Sequence, residues 1–185
     1  MNSNGRITAQ GLTILELMVT VSVMVILVTV AIPNMLRFVA NTQQVTQVNN
    51  LIADIVYARN EAATRGMKVS ICVSQNVATA SPTCAALGTT AWQTGRIIFA
   101  DANGDGVMNS ANNDILLQKT PALPTDSTLT ATGFTNTSHI TMGTFGGLTP
   151  STAGSFKACS TTSASGYSIA VPATGQPLST KVNCP

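Results

Sequence analysis

Residues 11–33 read GLTILELMVTVSVMVILVTVAIP. Between Leu12 and Ile32 there is a single charge, Glu16. As a helix, these residues would extend about 31 Å at 1.5 Å per residue, the thickness of a bilayer core. An acidic residue inside such a helix costs roughly 2.5–3.5 kcal/mol on insertion scales, so it marks function. A secretory signal peptide has its small-residue cleavage site after the apolar run. Here a short polar leader, MNSNGRITAQG, precedes the run, and Gly11 stands at the junction. Cleavage after Gly11 keeps the helix and frees an amine at Leu12, one turn before Glu16.

Beyond Pro33 a helical pattern resumes. Phe38, Val45, Val48, Ile52, Ile55 and Ala62 form one apolar stripe, expected to lie on a sheet. Asn41, Gln44, Gln47, Asn50, Asp54 and Glu61 are expected on the other side, with Gly66 as the stop. After Gly66 the period changes to two. Val69, Ile71 and Val73 alternate with small or polar residues and predict a strand. Residues 92–100 and 114–119 predict two more. Weaker strand signals cover 127–131, 139–145, 155–160 and 167–171. The parts read as a leader (1–11), a membrane and polymerisation helix (12–32), an amphipathic continuation (33–66) and a β-rich domain (67–185). The fold class expected is α+β: a long N-terminal helix, hydrophobic then amphipathic, packed on a mainly antiparallel sheet.

Charged residues make up only 9% of the chain and aromatics 4%, against about a quarter charged in ordinary domains. Arg6 is the one charge in the leader, so eight basic residues face seven acidic ones after it. They are scattered, which gives no field aimed at nucleic acid. The four cysteines, Cys72, Cys84, Cys159 and Cys184, suit disulfides in an oxidising compartment. Of three pairings, Cys72–Cys84 with Cys159–Cys184 closes two short loops and is favoured. Free buried thiols are the alternative, and zinc is disfavoured because no C-x-x-C pair exists.

One string resembles a calcium loop. Asp101, Asn103, Asp105, the Val107 carbonyl and Asn109 follow the first part of an EF-hand pattern, D-x-N-x-D-G. The twelfth position is Asn112 rather than a bidentate Glu, and Asp114 substitutes only after a loop shift. The competing reading is a hairpin turn rich in turn-forming residues. His139 is the only histidine, and no nucleophile–base pair or paired carboxylates can be assembled. No enzyme activity is expected. Trp92 and Phe99 read as core.

Gly11-Leu12-Thr13-Ile14-Leu15-Glu16-Leu17 resembles the prepilin-peptidase signal of type IV pilins and type II secretion pseudopilins. The resemblance implies a cut after Gly11, N-methylation of Leu12 and a docking role for Glu16. Leu12 stands where the family usually has Phe. Pro33 resembles the family proline that kinks or locally melts the helix, as a missing helical donor would. The order of the later parts resembles the FimT/FimU/GspH branch of minor subunits, which prime or cap a filament. The partners implied are other major and minor pilins or pseudopilins, the prepilin peptidase and an inner-membrane assembly platform. The implied location is a single inner-membrane pass with a periplasmic domain, then a pilus or pseudopilus. Some relatives bind DNA through a C-terminal Gly-Arg motif. Gly175-Gln176-Pro177 keeps the glycine but lacks the arginines, so direct DNA binding is not expected.

Overall fold

The computed structural model describes residues 13–124, 126–161 and 163–184, with backbone only at 33, 34, 36, 37 and 40. The longest element is α1, Ile14–Arg65. The chain forms two compact units, one up to Val39 and one from Ala40 to Pro185.

In the first unit, the described residues are almost entirely helix. Ile14–Ile32 is a 19-residue stretch of mean hydropathy 2.5 with none of its residues buried. Its length as a helix is about 28 Å, enough to cross a bilayer core.

In the second unit, the last part of α1 joins eight strands: β1 (Val69–Val73), β2 (Arg96–Ala100), β3 (Ile115–Thr120), β4 (Ser127–Thr132), β5 (His139–Met142), β6 (Gly154–Ser160), β7 (Ser163–Val171) and β8 (Leu178–Asn183). They form two antiparallel sheets, ordered β3-β2-β1-β5 and β4-β6-β7-β8. The α+β class with an antiparallel sheet is therefore present. The helix ends where expected, before Gly66, whose φ of 64° needs no Cβ.

One core joins the helix to both sheets. Val48, Leu51, Ile55, Ala58 and Ala62 from α1 meet Ile71, Val73 and Ile98 of the first sheet and Leu129, Phe156 and Ile169 of the second. Trp92 packs edge-on against Phe156 at 4.7 Å between centroids, and its indole N–H donates to Thr137 O at 2.7 Å. A smaller cluster of Cys72, Ile97 and Phe99 occupies the opposite face of the first sheet. Loops 74–91 and 101–114 contribute Val77, Cys84 and Met108 to that cluster.

The buried helix face differs from the expected stripe. Phe38 and Val45 are exposed, whereas Gln44, Gln47 and Asp54 are buried. The cause is long-range bonding. Gln47 donates to Ser127 Oγ at 2.7 Å, and Asp54 receives Arg96, which is fully buried. Trp92–Thr94, expected as the start of a strand, is a 3-10 turn that precedes β2. β8 lies in a segment for which the sequence carried no strand signal.

Candidate functional site

The first candidate lies at the start of the apolar helix. Gly11 and Leu12, the expected cleavage residues, lie outside the described residues. Thr13 precedes α1 and acts as its N-cap: the Glu16 backbone N–H donates to Thr13 Oγ1 at 3.2 Å. Leu17 N–H donates to Thr13 O at 3.1 Å. Thr13-x-x-Glu16 is thus the spacing of a capping box, with an acidic side chain at the positive end of the helix dipole. Glu16 therefore has a local helical role available as well as an intermolecular one. Position 33 falls within the bounds of α1.

The second candidate is the loop between β2 and β3. Asp101 is 1% exposed. Its Oδ1 accepts from Gly104 N–H at 2.6 Å, and its Oδ2 accepts from Gly106 N–H at 2.9 Å and from Ser70 Oγ at 2.6 Å. Ser70 Oγ also lies 2.6 Å from Thr141 Oγ1. With the Ser70 proton given to Asp101, Thr141 is the donor in that contact. Asp105 Oδ1 accepts from Val107 N–H at 2.7 Å, and its Oδ2 from Asn103 Nδ2 at 2.7 Å. Asn109 Oδ1 caps Ala111 N–H at 3.0 Å. Asp114 accepts from Ala102 and Asn109 N–H groups, both at 2.9 Å. The oxygens of Asp101, Asp105, Asn109 and Asp114 thus face N–H donors of the loop itself. Among the described residues no group of three or more His, Cys, Asp or Glu side chains is gathered for a metal.

Lys68, His139 and Cys84 all pack against this loop. The side chains of Lys68 and His139 lie where a Cβ on Gly104 or Gly106 would stand. Met108 N–H donates to Cys84 Sγ at 3.2 Å, so the Cys72–Cys84 disulfide braces the loop from the other side. Burial lowers the His139 pKa below its usual 6.5, and the neighbouring Asp101 and Asp105 charges oppose that shift.

The second disulfide, Cys159–Cys184, links β6 to the residue after β8. It passes over β7 at Gly166, where a Cβ would run into the Ala158 carbonyl oxygen and Cys184 Sγ. No free cysteine remains among the described residues. At the C-terminal turn, Gln176 accepts from Arg59 Nη1 at 2.9 Å.

The polar group that sequence reasoning missed is the buried ion pair. Arg96 Nε lies 2.5 Å from Asp54 Oδ2. Gln118 Nε2 donates to Asp54 Oδ1 at 2.9 Å, and Thr120 Oγ1 to Oδ2 at 3.0 Å. Desolvation by burial lowers the guanidinium pKa from its ordinary value, while the charge and hydrogen bond of Asp54 raise it. A charged residue set within an apolar run, as in Arg96-Ile-Ile-Phe and Leu-Ile-Ala-Asp54-Ile-Val, was the available signal.

An apolar capped helix leading into a domain of antiparallel sheets, pinned by two disulfides, is the build of a pilin-like subunit. The family model for the type II transport protein GspH matches residues 47–175. The chain belongs to that family. In fold it is similar to the type IV minor pilin FimU of Pseudomonas aeruginosa strain PAO1. In one crystal form of FimU the identity is 21% and the TM-score 0.54, over 80% of this chain and 92% of that one. In another the identity is 22% and the TM-score 0.49, over 71% and 88%. No curated protein matches.

Proposed function

We propose that this chain is a minor type IV pilin, a structural subunit that primes or caps assembly of a pilus used in adhesion, twitching or DNA uptake. The observation that carries the reading is the apolar stretch Ile14–Ile32, uncovered along its whole length and bearing Glu16 as its one charge. A soluble domain has no use for such a surface. A subunit that leaves a membrane for a helical bundle uses it twice, first against lipid and then against neighbouring helices. Glu16 then pairs with the amine freed at Leu12 of an adjacent subunit. The globular unit is periplasmic before assembly, which suits two disulfides. The other pilins, the prepilin peptidase and the assembly platform are the partners. No cofactor is needed. A calcium ion at the Asp101 loop would have to displace the N–H donors that Asp101 and Asp114 now hold. Direct DNA binding is not part of the reading, because the cations are scattered.

A second reading is favoured by the family match: a minor pseudopilin of a type II secretion system. Both readings use the same helix physics. Deleting the gene separates them. Loss of surface pili and twitching with normal exoprotein release supports the pilin. Retained pili with exoproteins trapped in the periplasm supports the pseudopilin and overturns the first reading.

A further inference from the structure

The joint between the last part of α1 and the sheets contains a polar fork that the described residues do not complete. Arg96 is fully buried. Its Nε–H is used on Asp54, whose two oxygens also receive Gln118 and Thr120. Nη1 and Nη2, which carry four of the five guanidinium N–H donors, are buried and have no hydrogen-bond partner among the described residues. Gln44 Nε2 and Gln47 Oε1 on the same helix are in the same condition. Gln47 and Asp54 are seven residues apart, about two helical turns, so these groups mark one flank of α1.

A buried donor without an acceptor is strongly disfavoured, and more so on a charged group. The partner must be an acceptor small enough for the interior. An anion does not suit the charge balance. Arg96 and Asp54 already neutralise each other, so an added anion would leave a net negative charge buried with no cation beside it. A neutral molecule that accepts from the guanidinium adds no buried charge and suits the unfilled Nη1 and Nη2. We propose that Arg96 Nη1 and Nη2 hold buried structural water, and that this water is a permanent part of the joint between α1 and the sheets.

Three measurements test this. The first is a high-resolution crystal structure of the full chain in detergent. Water density about 3 Å from both Nη atoms is the expected result. Nη atoms bonded directly to protein oxygens overturn the proposal. The second is oxygen-17 water relaxation dispersion on the full chain and on the Arg96→Met/Asp54→Leu double variant, which removes donor and acceptor together. The wild type should carry a long-lived water signal that the variant loses. An equal signal in both refutes the assignment. A saturable rise in melting temperature with chloride, absent in the double variant, identifies an anion site instead and also overturns it. If the double variant does not fold, the crystal structure decides alone.

Discussion

Replacing Asp54 by alanine strands Arg96, a fully buried cation, without its counter-charge. The substitution also removes the acceptor of Gln118 and Thr120. Breaking a buried pair from one side costs about 3–5 kcal/mol, because the remaining charge is uncompensated. For a domain the size of residues 40–185, each kcal/mol moves the melting temperature by roughly 2–4 °C. The expected drop for Asp54→Ala is therefore about 6–20 °C, read by circular dichroism during heating. Arg96→Met alone should fall by a similar amount, since it leaves the Asp54 carboxylate buried. The two changes together, as Asp54→Leu with Arg96→Met, should restore most of the loss, because apolar replacement of a buried pair is often neutral or stabilising. A double-mutant cycle closed with the Asp54→Leu single then gives a coupling close to the sum of the two single losses, about 5–8 kcal/mol. Single losses under about 3 °C, or losses that simply add, would refute the view that this pair is a coupled clamp between α1 and the sheet.

Further predictions follow from the same geometry. Gly166→Ala places a methyl where Ala158 O and Cys184 Sγ stand. It should hinder closure of the Cys159–Cys184 bridge, with free thiols detected by mass spectrometry and a stability loss of about 2–4 kcal/mol. Quantitative bridging with unchanged melting would contradict the packing described. Burial depresses the His139 pKa below 6.5, so the unfolded chain takes up a proton at higher pH than the folded one. Stability should be complete above pH 6.5 and decline as pH falls toward the lowered folded value. His139→Gln should remove that component of the slope, and melting curves between pH 7.5 and about 5 compare the two.

The apolar helix, the switch from period 3.6 to period 2 at Gly66, and β1 were legible because each is a local pattern. So was the core role of Trp92 and Phe99, both buried. The rotation of α1 on the sheets was not. Gln47 and Asp54 look like a solvent face until Ser127 and Arg96 are brought to them from 80 and 42 residues away. β8 was invisible for a related reason. Leu-Ser-Thr-Lys-Val-Asn follows a proline and is largely exposed, so its strand state comes from pairing with β7 rather than from burying alternate residues. In the Asp101 loop the spacing of oxygens was legible, but their engagement by the loop's own N–H groups depends on the backbone path. Glu16 was noticed for its charge, while its place three residues after the cap Thr13 emerged from the helix start.

That placement makes Glu16→Gln the most direct test of assembly through this helix. Glutamine keeps the length and the capping capability of a residue three positions after the N-cap, but it has no charge to offer a neighbour's amine. The measurement is the amount of tagged chain that co-purifies with sheared filaments, normalised to processed chain in the membrane. If Glu16 acts between subunits, Glu16→Gln is processed normally yet is depleted from filaments at least as strongly as Glu16→Ala. Wild-type incorporation of Glu16→Gln alongside a failing Glu16→Ala would assign the residue to helix capping and contradict the account.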